Sequence, residues 1–511
     1  MGFNTRQVHA GVEPDPVTGS ILTPIYQTTA FVFQDVKHAA DLFALRDTSG
    51  FIYTRIGNPT TDVLERRLAA IHGGTAAICT ASGMSAIFYT VAAITGTGQN
   101  IVSGSNLYGG THVLFENTLK RFGIEVRFVD TAKPAQVEAA IDADTRLLFT
   151  ESIGNPKCNV DDMQALAAIA HRHQLPFVVD NTMSPPPIFN PFDAGCDIAV
   201  YSLTKIIGGH GNSIGGAVVE AGGFDWSEAA RYPEITAPDP SYHGLNFWEA
   251  LCSLEGTPCT AFCVKLRTGL MRDIGAALSP MNSFLILQGL ETLPLRAKAH
   301  CENAKTVAAF LEKHPFVQWV NFAGLPSHPD HARSQKYFPM GPGAVFGFGL
   351  KGGLEAGRKF IESVKLCSHL ANILDARTLV IHPATTTHSQ LSEADQAAAG
   401  VSPDLIRLSV GIEDLEDIRE DADADLFAFG LGAASLLKVH GGRVLRRQRD
   451  WAYSLAGLIT TAVLRYFSWS AAFVLLGVMA GSFCYGKVRT ETYLKIILNL
   501  LVVMGGMMIL S

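Results

Sequence analysis

Several signatures that would assign a class at once are missing from this 511-residue chain. Its nine cysteines include no CxxC pair, and no His or further Cys stands at zinc-finger spacing around Cys252, Cys259 and Cys263. HExxH and GxxxxGK[ST] are both absent, and the first residues, MGFNTRQVHAGVEPDP, have no apolar stretch of the kind a secretory signal carries. The cysteines are therefore expected to be buried and reduced, with no metal site, in a cytoplasmic protein. Charge is also scarce, at 17% of residues against 48% hydrophobic, which excludes a disordered chain, a collagen-like repeat and a disulfide-stapled scaffold. Net charge is −7, yet residues 431–511 carry +7 and the rest −14. An acidic body of that kind argues against a nucleic-acid partner, which needs a basic face for phosphates.

What is present is organised. Residues 1–60 are interrupted by Pro14, Pro16, Pro24 and Pro59 and read as an extended arm. From 61 to 220, apolar runs alternate with helical stretches. The runs are AAICT (76–80), NIVSG (100–104), EVRFV (125–129), RLLFT (146–150), FVVD (177–180), IAVYS (198–202) and GAVVE (216–220). Such runs between helices spaced i, i+3, i+4 predict a parallel sheet covered on both faces. Residues 223–280 are rich in turn formers and aromatics, and a second α/β region follows over 295–430. Beyond Arg443 the composition turns apolar, with 21 uncharged residues from Tyr466 to Gly486 and 16 from Ile496 to Ser511. The first stretch is long enough to span a membrane, with Arg443, Arg446, Arg447 and Arg449 on its cytoplasmic side. A tail over 443–511 that tethers the body to a membrane is the expectation, with a buried hairpin as the alternative.

Chemistry concentrates where strands end. In IAVYSLTKIIGGHG a strand runs into Ser202, Thr204 and Lys205. Hydroxyls there can take a phosphate while the amine meets an aldehyde, provided burial or a cationic neighbour lowers its pKa. FVVDNT sets Asp180 directly after an apolar run. An unpaired carboxylate is costly there, so it either caps the next turn or meets a cation such as a pyridinium nitrogen. RLLFTESIGNP puts Glu151 and Asn155 past another strand. In an open α/β sheet all of these gather outside the strands' carboxyl ends. CTASGMSAIFYTVAAI turns through Ser82, Gly83 and Met84 into a helix, which is either an anion cradle or an ordinary serine cap. Tyr53 and Arg55 stand on the irregular arm, Arg being suited to phosphate.

Taken together these segments resemble the Cys/Met-metabolism branch of fold-type I PLP-dependent enzymes, over about residues 3–430. The resemblance implies an α/β fold like that of aspartate aminotransferase, with a mainly parallel seven-stranded sheet and a smaller C-terminal α/β domain. It implies an arm over 1–60 that contributes to the neighbouring subunit's site, a cofactor-binding domain over 61–290 and a small domain over 291–430. The apolar helical tail at 443–511 is an addition to that pattern. The implied cofactor is pyridoxal 5'-phosphate, bound covalently by Lys205, with Asp180 on the pyridine nitrogen and Tyr108 of SNLYGGT stacked on the ring and moving protons. Ser82, Gly83, Met84, Ser202 and Thr204 are implied for the phosphate, Tyr53 and Arg55 for the neighbour's phosphate, and Asn155 for the phenolic oxygen. Arg407 of LIRLSVGIE, with Asn155 and with Thr385 of HPATTTHSQL, is implied for the substrate. A shared site requires a homo-oligomer, at least a dimer and by resemblance a tetramer. Within the branch, the SLTKIIGGHG wording, the RYPEITAPDPSYHG insertion and Gly110 after Tyr108-Gly109 are similar to the sulfhydrylases of methionine biosynthesis. These replace the acetyl group of O-acetyl-L-homoserine by sulfide or a small thiol, giving homocysteine or methionine. The γ-lyases and cystathionine γ-synthases of the same branch are the alternative.

Overall fold

The apolar runs assemble into one sheet: β1 (Ala76–Thr80), β2 (Asn100–Gly104), β3 (Glu125–Val129), β4 (Thr145–Glu151), β5 (Phe177–Asp180), β6 (Ile198–Ser202) and β7 (Gly216–Glu220). The computed structural model describes residues 1–430 except 48, 228–229, 253–257, 388, 390–395 and 397–399; the expected membrane tail, 443–511, lies outside the described residues. Strand order is β1-β7-β6-β5-β4-β2-β3. Every neighbouring pair is parallel except those of β7, which runs antiparallel to β1 and β6. Adjacent residues of a strand face opposite ways, so Leu148, Val179 and Tyr201 enter one apolar cluster while Phe149, Val178 and Val200 enter another. Both faces are covered, which is why the runs are continuous rather than alternating.

A second, five-stranded sheet has the order β10-β11-β12-β9-β8. Its strands are β8 (Val317–Asn321), β9 (Val345–Leu350), β10 (Ser368–His369), β11 (Leu379–Ile381) and β12 (Leu405–Ser409). The long helix Leu293–Glu312 precedes it, and Met1–Gly430 form one unit by contact.

Three stretches differ from the sequence expectation. The arm is not irregular throughout: Phe3–His9 is a helix, docked by a Gln7 Nε2 hydrogen bond of 2.7 Å to the Leu290 carbonyl. The aromatic-rich segment after β7 forms short helices Pro233–Thr236, Phe247–Leu251 and Ala261–Leu266. They pack around buried Trp226, Tyr232, Phe247 and Phe262, with Trp226 stacked on Phe262 at 5.6 Å. Burial of each such ring contributes about 2 kcal/mol, enough to hold helices too short to persist alone. Finally, Cys252 and Cys259 are joined by a disulfide rather than reduced. Cys79, Cys158, Cys196, Cys263, Cys301 and Cys367 are buried thiols outside any disulfide, as expected. Among the described residues no helix is long and apolar enough to cross a membrane, and no cluster of three or more His, Cys, Asp or Glu could hold a metal ion.

Candidate active site

Because β4, β5 and β6 are parallel, their carboxyl ends open on one edge, where Glu151 stands opposite Asp180 and Asp180 opposite Val200. Thr182 joins two of these ends. Its N–H donates to Asp180 Oδ1 at 3.0 Å, and its hydroxyl accepts from the Ser202 N–H at 2.8 Å. Burial raises the Asp180 carboxyl to about 6, and among the described residues no cation is paired with it. An enclosed carboxylate facing a cavity without a counter-charge is suited to a cationic ligand group. Glu151, 6% exposed, accepts the Tyr108 N–H at 2.6 Å. Burial first, and then the charge of Asp180, push its carboxyl well up. Each carboxyl thus makes ionisation of the other less favourable.

Lys205 follows β6 by one tight turn, its N–H bonded to the Ser202 carbonyl at 3.2 Å. Its Nζ donates to Asn372 Oδ1 at 2.5 Å. Burial, and secondly the Arg407 charge, lower the amine to about 8. A lysine in that condition has an accessible neutral form and is competent to attack a carbonyl.

The helix Gly83–Ala92 begins beside this turn. Ser82 caps it, accepting from the Ser85 N–H, and Ser85 returns the bond to Ser82. The ladder proper starts with the Ala86 N–H on the Ser82 carbonyl, so the N–H groups of Gly83 and Met84 have no partner within the helix. Those two donors, at the positive end of the helix dipole, suit an anion. Glycine at 83 is required by closeness, since a Cβ there would lie 2.7 Å from Ser202 Cβ. Thr204 completes this wall, its hydroxyl exchanging hydrogen bonds with the backbone of Gly215.

The second sheet closes the other side. Arg407 on β12 pairs with Gly347 of β9 and Ile381 of β11 in register, is 7% exposed, and donates from Nη2 to the Asn372 carbonyl at 3.4 Å. Burial lowers its pKa, and among the described residues no carboxylate pairs with it. The enclosed space is about 290 Å³, near the lower end of the range for small-molecule sites.

Of the residues singled out in the sequence, Ser82, Gly83, Met84, Tyr108, Asn155, Asp180, Ser202, Thr204, Lys205 and Arg407 all line this one cavity. Thr385 does not; its hydroxyl bonds His382 Nδ1 at 3.0 Å, and Thr387, two residues on, lines the cavity instead. Tyr53 and Arg55 are exposed on the arm, the guanidinium 5.3 Å above the Tyr53 ring, and do not reach the cavity of their own chain. Asn372 was missed, because a lone Asn in a loop between β10 and β11 carries no spacing signal. An amine of lowered pKa, an uncompensated carboxylate and an anion cradle, all on one cavity, fit pyridoxal 5'-phosphate, which presents an aldehyde, a ring nitrogen and a phosphate.

The family model described as Cys/Met metabolism PLP-dependent enzyme matches residues 4–427. O-acetyl-L-homoserine sulfhydrylase 1 of Thermus thermophilus is 51% identical over 82% of this chain and 99% of its own length. Homocysteine synthase of Schizosaccharomyces pombe is 48% identical over 82% of this chain and 96% of its own. A solved structure from Campylobacter jejuni, described as an O-acetylhomoserine (thiol)-lyase with a pyridoxyl-lysine, superposes with a TM-score of 0.80 at 38% identity, covering 84% of this chain and 100% of that one.

Proposed function

We propose, from the premise that the chain belongs to the Cys/Met metabolism PLP-dependent enzymes, that it replaces the acetyl group of O-acetyl-L-homoserine by sulfide, giving L-homocysteine and acetate. The observation that carries this reading is that one cavity holds Lys205, Asp180 and Arg407, none of them paired with an opposite charge among the described residues. The names of the relatives supply the choice of substrate within the family. A small thiol in place of sulfide gives methionine directly.

Lys205 would hold the cofactor through its amine, Asp180 would pair with the pyridine nitrogen, and Ser82, Gly83, Met84, Ser202 and Thr204 would receive the phosphate. When bound, the cofactor withdraws electron density from the substrate's α-carbon through its ring. Arg407 binds the substrate carboxylate and so fixes which substrate bond faces the ring. Lys205 Nζ, with a pKa of about 8, accepts the α-proton near neutral pH and can return it. Asn372 Oδ1 is the acceptor that holds this amine when it is free. Tyr108, half exposed and fixed through its N–H by Glu151, lines the cavity, where it would pack against the cofactor and give a proton to the departing acetate. Asn155 borders both cofactor and substrate.

Tyr53 and Arg55 serve the phosphate of a neighbouring copy, which makes the enzyme at least a dimer and, on the family pattern, a tetramer. Support comes from the exposed apolar side chains of the same arm, among them Val17, Ile21, Leu22, Val32 and Phe43. The alternative within the family is elimination without a nucleophile. Purified enzyme given O-acetylhomoserine with and without sulfide decides between them. Homocysteine formed only with sulfide supports replacement, whereas 2-oxobutyrate and ammonia at equal rates in both samples would replace it by elimination.

A further inference from the structure

One ion pair outside the cavity, its carboxylate buried and its arginine side chain 26% exposed, joins the two segments on which cofactor binding would depend. Glu65, on the helix Pro59–His72 and 5% exposed, accepts the Cys79 N–H of β1 through Oε1 at 2.8 Å. Its Oε2 accepts from Arg267 Nη2 at 2.6 Å. Arg267 Nη1 in turn donates to the Ile56 carbonyl at 2.6 Å. Cys79 lies three residues before Ser82 in the cavity wall, and Ile56 directly follows Arg55 on the arm. The arm turn is closed locally by the Ile56 and Gly57 N–H groups on the Tyr53 carbonyl, and Thr54 is bonded to Thr28, Thr29 and Asn58. Arg267 adds an anchor from the body of the chain at the residue after Arg55. A partly enclosed guanidinium–carboxylate pair gives little net stability, but its planar fork fixes geometry well.

We infer that Arg267, held by Glu65, is a positioning residue that sets the Tyr53–Arg55 turn for the neighbouring subunit, so that cofactor retention in one subunit depends on Arg267 of the other. This rests on the reading that the arm reaches the neighbour's phosphate. It predicts an effect in trans, which a residue acting only through its own subunit's packing would not give.

The test is pyridoxal 5'-phosphate affinity, read from the bound cofactor's absorbance after resolution and back-titration of the full chain. Losing one charged hydrogen bond weakens retention by about 10- to 150-fold for Arg267→Met. Arg267→Lys is expected between Arg267→Met and wild type, and Glu65→Gln, which keeps the side-chain volume, shows a smaller loss in the same direction. Elution volume and thermal midpoint identify variants that fail to fold, and Glu65→Gln and Arg267→Lys then carry the test. Mixed oligomers separate the routes. A wild-type chain paired with an Arg267→Met/Lys205→Ala chain has one lysine-bearing site served by a damaged arm, and weakened covalent cofactor there supports the inference. An Arg267→Met chain paired with a Lys205→Ala chain keeps wild-type affinity. If affinity follows the mutated chain's own site instead, or if Arg267→Met changes nothing while Arg55→Ala costs tenfold, the inference is overturned. If Arg55→Ala and Tyr53→Phe are both silent, the arm reading fails as well.

Discussion

The two ends of the seven-stranded sheet treat charge in opposite ways. At the amino ends several polar groups are matched within the chain. Against burial, hydrogen bonds from Asn100, Arg127 and Thr145 hold the Asp142 carboxyl below its ordinary range, and Asn100 in turn accepts from Thr145 at 2.7 Å. Asp197, just before β6, accepts from the Phe177 N–H and His171 Nε2, both at 2.8 Å. At the carboxyl ends Asp180 and Lys205, with Arg407 of β12 facing them, line one cavity with no opposite charge paired to them among the described residues, and all three are shifted toward neutrality by burial. The same sheet therefore spends its polar groups on cohesion at one end and reserves them for ligands at the other. Reserved charge is a cost in the empty protein, and that cost is what ligand binding recovers.

Substitutions at the carboxyl ends should damage function far more than stability. The largest effect is expected for Lys205→Ala, which removes both the covalent attachment and the proton acceptor. Turnover should fall at least about 10³-fold and the visible absorbance of the attached cofactor should vanish. Activity within tenfold of wild type would remove Lys205 from the mechanism. Next is Arg407→Ala, where loss of a charged hydrogen-bonding partner for the carboxylate should lower kcat/KM about 10–100-fold, mostly through KM. The cofactor spectrum should be unchanged, and steady-state kinetics with absorbance scans read both.

Asp180→Asn breaks the comparison from the stability side. An unfolded Asp titrates near 3.9, and the folded one at about 6. Between those values the folded chain holds the extra proton, so stability falls as pH rises and the full penalty is present above about pH 6. Asn does not ionise. Cofactor-free Asp180→Asn should therefore be more stable than wild type at pH 7–8, by on the order of 3 kcal/mol, with the gap closing toward pH 4. Thermal unfolding across that range reads it. Added cofactor should reverse the order, because only the carboxylate gains a cation.

How much of this was legible in the sequence depends on whether a feature is local. The seven strands were readable because a strand buried on both faces is a continuous apolar run, and β1 through β7 fall on those runs to within a residue. Most cavity residues were readable for the same reason, sitting just past such a run or at a helix start, whereas Tyr108 and Arg407, the latter within β12, came from the family resemblance alone. Asn372, Thr387 and the Glu65–Arg267 pair were not, because each depends on a chain crossing between distant segments. Arg267 and Ile56 are 211 residues apart. The Cys252–Cys259 bond was hidden in another way. The expectation of reduced thiols came from compartment and motif, whereas the bond follows from the chain returning to bring the two Cα atoms within 4.3 Å.

The smallest expected effect belongs to the amino end and sharpens the contrast. The hydrogen bond to Asp197 raises the His171 pKa, burial opposing it. A group whose folded pKa lies above its unfolded one stabilises fully below the unfolded value, near 6.5, and loses that contribution as pH rises through the folded value. With the His171 side chain 44% exposed, solvent screens the pair, and its worth is a few tenths of a kcal/mol. His171→Ala should thus lower the thermal midpoint slightly at pH 5.5 and hardly at all at pH 8.5, with kcat and KM unchanged at both. A change in KM would mean that the two ends of the sheet communicate. The division drawn here between cohesion at one edge and ligand binding at the other would then be wrong, because a matched pair at the amino end would be acting on the unmatched set.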